Sequence, residues 1–219
     1  MTGRLELSGP SFPPAAGGAA RQLVILLHGW GADGGDLIQL APEWARLLPH
    51  AEFLSPHAPY PCDIGVGRQW FAFHDQSEEM MLATASAAAP MLNAFLDDAL
   101  RARGLSEADL ALVGFSQGTM MSLYVAPRRA NPCAAVVGYS GLLIGGDRLV
   151  REIKSRPKVL LVHGEADELV PAAALARAVE GLAAAGVPVE SHIRPGLGHA
   201  LDSLGIAGGG RFLGRAFAA

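Results

Sequence analysis

Cysteine is scarce in this chain of 219 residues, which contains only Cys62 and Cys133. Neither lies in a C-x-x-C pair or at metal-ligand spacing from a histidine, so no metal site is expected. In a domain of this size, a single pair is more typical of two buried reduced thiols than of one disulfide bridge. The sequence therefore predicts free thiols that pack like small hydrophobic side chains.

Charge is also low, because Asp, Glu, Lys and Arg together make up 17% of the residues. Half of the chain is apolar, which is enough for a large core and excludes disorder over most of the length. Clustered basic residues are missing, Arg128-Arg129 being the only adjacent pair, and the formal net charge is −4. Nucleic-acid binding is therefore not expected.

A long apolar run is missing near the N-terminus. Residues 1–14 contain Arg4, Glu6 and three prolines, instead of the uninterrupted apolar stretch of an export signal or a membrane helix. We therefore predict a cytoplasmic protein with no membrane insertion.

What the chain has is an alternation of short apolar runs with helical patterns. Continuous apolar runs are typical of strands buried on both faces of a parallel sheet. The runs are Gln22–Leu27, Ala51–Leu54, Leu110–Phe115, Ala134–Tyr139, Lys158–His163 and Val187–Ile193. The helical segments are Leu37–Leu48, Glu79–Arg103, Gln117–Ala126, Asp147–Lys154 and Pro171–Ala185. The alternation predicts one α/β domain over residues 1–219, with a mostly parallel open sheet and helices on both faces.

Glycine and proline residues make the prediction of secondary structure ambiguous at three places. Pro90 either kinks the long helix or starts a second one at about Met91. At the N-terminus, Arg4–Ser8 can add an edge strand, and the stretch Pro10–Ala20 after it is expected to be a loop. Near the other end, the run of three glycines at 208–210 is expected to precede a short helix, Arg211–Ala218.

One pentapeptide fits the pattern G-x-S-x-G of a sharp strand-to-helix turn, Gly114-Phe115-Ser116-Gln117-Gly118. The pattern alone is weak, but here it follows an apolar run and opens a helical one, as the turn requires. Small neighbours are needed because the serine backbone is strained and nearby Cβ atoms would collide. Ser116 is therefore a candidate nucleophile.

A serine hydroxyl needs a base to take its proton and a third group to orient that base. In α/β enzymes of this kind the acid precedes the histidine, and both follow the serine. Asp167 comes directly after a predicted strand, and His199 lies in a glycine-rich loop after the last one, so both are expected at the same sheet edge as Ser116. Glu165 is the competing carboxylate. His163 and His28 also end strands, and a structural or supporting role is favoured for them.

Charge that develops on a substrate carbonyl oxygen needs hydrogen-bond donors. The backbone N–H groups of Trp30, in a glycine-rich loop after the first long strand, and of Gln117, directly after the serine, are the candidates. Trp70 and Phe71 lie in an aromatic segment that is the best candidate for the wall of a substrate pocket. For any one of these aromatics, a place in the core is an equally favoured alternative.

Taken together, these motifs resemble the phospholipase/carboxylesterase branch of the α/β-hydrolases, which includes the acyl-protein thioesterases and small bacterial carboxylesterases. The matching segments are Leu27-His28-Gly29-Trp30-Gly31 with Asp33 and Asp36-Leu37, Gly114–Gly118, His163-Gly164-x-x-Asp167-x-x-Val170-Pro171, and Gly198-His199. They cover the chain from about residue 20 to its end. The resemblance implies an α/β-hydrolase fold with no large cap domain, a triad of Ser116, Asp167 and His199, oxyanion donors at Trp30 and Gln117, and no cofactor.

Two positions depart from the family pattern, which often has Leu in place of Trp30 and Asp in place of Glu165. The large indole is expected to change the shape of the substrate pocket and to leave the chemistry unchanged.

The leading hypothesis is a metal-independent serine carboxylesterase that acts on small to medium acyl esters. The alternatives are a thioesterase or lysophospholipase for longer acyl chains, and a non-catalytic binding protein on the same scaffold. Apolar surface strips in this fold can pair protomers as a homodimer, although the sequence singles out no interface.

Overall fold

Seven strands form the main sheet of the computed structural model, which describes residues 7–73, 75 and 77–218. In chain order, the strands are β1 (Ser11–Phe12), β2 (Gln22–Leu27), β3 (Ala51–Leu54), β4 (Tyr60–Pro61), β5 (Arg68–Gln69), β6 (Leu110–Phe115), β7 (Ala135–Tyr139), β8 (Lys158–Gly164) and β9 (Val189–Arg194). The sheet has the order β1-β3-β2-β6-β7-β8-β9, and β4 pairs with β5 apart from it. All neighbours in the sheet are parallel except β1, which runs antiparallel to β3 at the edge.

Helices cover both faces of this sheet, as predicted. They are α1 (Gly34–Leu37), α2 (Ala41–Trp44), α3 (Glu78–Arg103), α4 (Gln117–Val125), α5 (Gly146–Glu152), α6 (Ala173–Ala184) and α7 (Ser203–Phe217). Alternate residues of β2 show how the core divides. Leu23 and Ile25 pack in one cluster with α3, α4 and α6, while Val24 and Leu26 pack in the other with α2 and α7. Burial on both faces explains the continuous apolar runs.

The segment predicted as a single helix, Leu37–Leu48, is broken. It contains the end of α1, a 3-10 turn at Ile38–Leu40 and then α2. The second residue of α2 is Pro42, which has no N–H to continue the preceding ladder and is favoured in the first turn of a new helix. Pro90, by contrast, lies exposed inside α3, which runs unbroken from Glu78 to Arg103, so the alternative of a second helix that starts at about Met91 is wrong.

The run of three glycines at 208–210 was expected to precede the last helix. It lies inside that helix, α7, instead. A Cβ on Gly209 would be 2.1 Å from the Tyr139 hydroxyl, and one on Gly210 would be 2.9 Å from the Trp44 ring. Close packing therefore needs these glycines and overrides their low helix propensity. The edge strand is also displaced. Residues 4–6 of the predicted strand lie outside the described residues, and β1 forms instead within the stretch that was expected to be a loop.

A network of ion pairs and hydrogen bonds connects α3 to Arg129, which follows α4 and the 3-10 turn after it. The guanidinium of Arg129, only 6% exposed, donates to Asn93 Oδ1 at 2.7 Å and to Asp97 Oδ1 at 2.6 Å, and it also pairs with Glu107. Each nitrogen of the buried cation thus meets an acceptor, which favours burying such a charge. The network lies away from the carboxyl edge of the sheet and supports the scaffold.

Two further expectations can be compared with the structure. Cys62 and Cys133 are both buried and free, as predicted. Among the described residues, none of the helices combines the length and the hydropathy that a membrane span requires.

Candidate active site

Ser116 occupies a strained turn between β6 and α4. Its backbone has φ 52° and ψ −116°, a conformation that non-glycine residues rarely adopt and that persists only where the surroundings enforce it. The surroundings here include a hydrogen bond from Ser116 N–H to the Tyr139 carbonyl at 2.9 Å. The turn presents Ser116 at the carboxyl end of a central strand.

The two glycines of the pentapeptide are required by close contacts. A Cβ on Gly118 would lie 1.7 Å from the Leu27 carbonyl oxygen, and one on Gly114 would lie 2.3 Å from the Thr119 nitrogen. Both atoms belong to the backbone, so a side chain could be accommodated only by moving β2 or α4. The steric reason inferred from the sequence therefore holds at both positions.

The strand ends bring Asp167 and His199 together. Asp167 follows β8, His199 lies in the loop after β9, and His199 Nδ1 is 2.8 Å from Asp167 Oδ2. The Asp167 carboxylate is fully buried, and its other oxygen accepts backbone N–H groups from Leu169 at 3.0 Å and Val170 at 2.8 Å. Both carboxylate oxygens are therefore held in place, and one of them is aimed at the imidazole.

These hydrogen bonds also set the charge of Asp167. Burial would raise the pKa of its carboxyl, but the N–H of Val170 and the ring of His199 favour the ionised form more strongly, so the pKa lies below its usual value. Asp167 is consequently a carboxylate at neutral pH. Such a group can hold the Nδ1 proton of His199 and stabilise the ring when it becomes positively charged.

The imidazole of His199 lies beside the nucleophile turn. Its ring packs on that of Phe115, the residue before the serine, with 4.9 Å between centroids. Because Asp167 occupies Nδ1, Nε2 is the ring nitrogen left for proton exchange. Within the described part of the chain, the Ser116 hydroxyl makes no hydrogen bond. Such catalytic contacts often tighten only when substrate binds.

The loop that carries His199 is fixed at its far end. Arg194, the last residue of β9, donates to Asp202 Oδ2 at 2.9 Å. The other oxygen of Asp202 accepts the Gly205 N–H at 2.8 Å and caps α7. The loop therefore runs between a strand end and a helix start that are joined by an ion pair.

The remaining candidates for the acid and the base have other partners. Glu165 is exposed, and its Oε2 accepts the Gly196 N–H at 3.1 Å. His163 Nε2 is 2.8 Å from the Val170 carbonyl and 3.4 Å from Asp167 Oδ2, so this ring supports the turn around the carboxylate. His28 uses both ring nitrogens in the core, and burial lowers its pKa.

The two backbone N–H groups predicted as oxyanion donors follow the ends of two neighbouring strands. Gln117 is the first residue of α4, where amide groups have no helical acceptor. Trp30 follows β2 on the neighbouring strand end. Neither of these two N–H groups has a hydrogen-bond acceptor among residues 7–73, 75 and 77–218.

The predicted pocket residues Trp70 and Phe71 lie in the core. Their exposed fractions are 1% and 2%, and Trp70 Nε1 donates to the His28 carbonyl at 2.9 Å. This is the alternative that the sequence left open. Phe73 and Trp30 are only partly buried, with ring centroids 6.0 Å apart, so both rings keep an accessible surface.

A cleft of about 610 Å³ lies between the start of α3, the loop from β7 to α5, and the helices α5 and α6. Its apolar lining includes Met81, Leu142 and Leu143. The β7–α5 loop contacts the nucleophile turn, because a Cβ on Gly141 would lie 2.9 Å from the Ser116 carbonyl oxygen. No role for this loop was predicted from the sequence. Its signal was a Ser-Gly pair directly after a strand, followed by apolar residues.

The comparisons with known proteins agree with this architecture. The sequence model of one family, described as phospholipase/carboxylesterase, matches residues 14–213. The chain belongs to the phospholipase/carboxylesterase family. The crystal structure of esterase PE8 is 40% identical, with a TM-score of 0.92 over 96% of this chain and 99% of that one. The esterase YpfH of Escherichia coli (strain K12) is 28% identical over 84% of this chain and 78% of its own length.

Membership of this family confirms the α/β-hydrolase fold and identifies the protein as a serine ester hydrolase. Thioesterases are also among its relatives. Acyl-protein thioesterase 1 of Schizosaccharomyces pombe is 29% identical over 68% of this chain and 69% of its own length. Among the described residues, no group of three or more His, Cys, Asp or Glu side chains is arranged to hold a metal ion.

Proposed function

We propose that the protein hydrolyses small to medium acyl esters with Ser116 as nucleophile, His199 as base and Asp167 as the group that orients it. The observation that supports this most strongly is the 2.8 Å contact of His199 Nδ1 with the buried Asp167 carboxylate, at the sheet edge that carries the strained Ser116 turn. A histidine with a purely structural role would not require both a buried carboxylate partner and a neighbouring serine in a strained turn. The combination therefore favours a catalytic role for His199.

In the first half of the proposed reaction, Ser116 Oγ attacks the carbonyl carbon while its proton passes to His199 Nε2. The negative charge on the carbonyl oxygen is stabilised by the N–H groups of Trp30 and Gln117. The imidazolium then gives its proton to the departing alkoxide, leaving an acyl-enzyme. In the second half, water attacks the acyl carbon by the same route and releases the acid, and Ser116 regains its proton.

Aromatic side chains near the nucleophile turn favour small-molecule esters as substrates. The partly exposed rings of Trp30 and Phe73 offer apolar contact, and the buried Trp70 and Phe71 offer none. Small-molecule esters of moderate apolarity suit such a site, because the triad acts on the carbonyl group and makes no demand on the alcohol.

A thioesterase or lysophospholipase acting on longer acyl chains is the second candidate. It is favoured by the cleft of about 610 Å³ beside the β7–α5 loop and by the thioesterase relative. Rates on acetyl, butyryl, octanoyl and palmitoyl esters and thioesters distinguish the two. A maximum at two to four carbons supports the first proposal, and a maximum at eight or more supports the second.

The test of the chemistry is Ser116→Ala, compared with Ser191→Ala, which removes an exposed hydroxyl from β9. We expect Ser116→Ala to abolish hydrolysis of p-nitrophenyl butyrate and labelling by a fluorophosphonate, and Ser191→Ala to keep both. Circular dichroism checks that both variants are folded. Substantial activity in Ser116→Ala would contradict the proposal, and a wild-type protein that shows neither activity nor labelling would favour a binding protein on this scaffold.

A further inference from the structure

The segment Arg68–Phe71 runs between the two backbone N–H groups that we assign to the oxyanion. On one side it follows the loop that contains Trp30. The Gly31 N–H donates to the Arg68 carbonyl at 3.0 Å, and the Arg68 N–H donates to the Ala32 carbonyl at 2.8 Å. These backbone contacts hold the segment against the loop without using any side chain.

A glutamine side chain strengthens this contact. Gln69 Oε1 accepts the indole N–H of Trp30 at 2.8 Å, and Gln69 Nε2 donates to Asp63 Oδ1 at 2.8 Å. The indole has a donor and no acceptor, so the oxygen of the Gln69 amide must face it. A leucine in place of Trp30 could not make this bond.

A second glutamine binds the segment from the nucleophile side. Gln117 Oε1 accepts the Trp70 N–H at 2.8 Å, and Gln117 Nε2 donates to the Phe71 carbonyl at 2.8 Å. The Gln117 side chain is fully buried. Its amide therefore satisfies one backbone donor and one backbone acceptor that would otherwise be buried without partners.

We propose that the side-chain amides of Gln69 and Gln117 are positioning groups that fix the two oxyanion donors relative to each other through the segment between them. The proposal rests on the proposed function. One amide connects the segment to the residue that carries the first donor, and the other belongs to the residue that carries the second. Oxyanion stabilisation depends on donors that are already aimed at the developing charge, so a shift of either one weakens it.

The substitution Gln117→Met keeps the length and apolar volume of the side chain and removes both bonds to the segment. We expect kcat on p-nitrophenyl butyrate to fall about 10- to 100-fold, less than the 10²- to 10³-fold that complete loss of one donor costs. KM should stay within about threefold, because a ground-state ester needs these donors less than the transition state does. Gln69→Leu should act in the same direction and more weakly, since the backbone bonds to the loop remain.

A transition-state analogue separates positioning from general damage. Butyl trifluoromethyl ketone adds to a serine and leaves a charged oxygen between the donors, so its Ki should rise by the same factor as kcat/KM falls. The matched control is Gln39→Met, which removes an exposed amide that bonds only to the Gly35 carbonyl at 3.3 Å, and it should leave both constants unchanged. Fluorophosphonate titration before each assay counts the folded active sites.

Three results decide the matter. Parallel losses in kcat/KM and ketone affinity in both variants support the proposal. Variants within twofold of the wild type in both constants overturn it, and so does a loss of kcat with unchanged ketone affinity. Since Gln117→Met can fail to fold, Gln69→Leu provides the same comparison on its own. A wild-type protein without Ser116-dependent activity would remove the proposed function itself, which is a different outcome from unaffected glutamine variants.

Discussion

The substitution Asp167→Asn tests the proposed triad most directly, because the structure dictates how the new amide must lie. Oδ1 of Asp167 accepts two backbone N–H groups, from Leu169 and Val170. An asparagine has to keep its oxygen there, since turning it would set its NH₂ against both N–H groups and leave the buried Val170 donor unpaired, at a cost of about 1–3 kcal/mol. The NH₂ group then faces His199 Nδ1.

This orientation reverses the tautomer of His199. Its Nδ1 must accept from the new NH₂ group, so the ring proton moves to Nε2, which can no longer take the proton of Ser116. A wrong tautomer of this kind lowers kcat by about 10⁴-fold in a Ser-His-Asp triad. At 1.36 kcal/mol for each tenfold step, this loss is about 5.4 kcal/mol of transition-state stabilisation.

The assay is kcat on p-nitrophenyl butyrate at pH 8, with circular dichroism to confirm folding. The matched control is Glu165→Gln, which neutralises the exposed carboxylate two residues away, and its kcat should stay within about twofold of the wild type. Activity of Asp167→Asn within tenfold of the wild type would refute the reasoning. An equal loss in Glu165→Gln would move the acid to that residue.

Three further predictions concern stability and reactivity. The carboxyl of Asp167 has a lowered pKa, so it stabilises the folded state above its unfolded pKa of about 3.9. The free energy of unfolding should therefore fall more steeply with acid in the wild type than in Asp167→Asn, measured by urea titration from pH 5 to 3. Arg129→Met should lose about 1–3 kcal/mol in the same assay because Asn93, Glu107 and the half-exposed Asp97 lose the buried cation that they share, while kcat at 20 °C remains unchanged. Burial raises the pKa of Cys133 to about 12, so Ellman's reagent should not react with Cys133 in the folded protein and should count two thiols in denaturant.

The strands were predictable from sequence because their signal is local. Buried parallel strands need continuous apolar runs. The edge strand β9 is largely exposed, yet all six predicted strands form within two residues of the expected ends. The Ser116 turn was predictable for the same reason, since Gly114 and Gly118 are demanded by backbone contacts at fixed offsets. The contact between Asp167 and His199 was predictable because both follow strands that end at the same edge of the sheet.

Tertiary contacts explain most of what the sequence could not show. The glycines of α7 predict a break in the helix when only the sequence is considered. The structure shows that they are needed because Trp44 and Tyr139 pack against them. The backbone of Trp70 and Phe71 is bonded in the core by Gln117, which lies 47 and 46 residues further along the chain, respectively. A pattern that records only residue type cannot tell an aromatic wall from an aromatic core at this distance.

The position of the His199 loop depends on the glycine-rich helix α7. Five of its fifteen residues are glycine, which weakens it by about 1 kcal/mol per residue relative to alanine, so it depends on docking against the sheet to stay formed. Asp202 caps this helix and also pairs with Arg194 at the base of the His199 loop. Undocking of α7 would therefore release the imidazole as well, and catalytic competence would follow the opening of a single helix rather than the unfolding of the whole molecule.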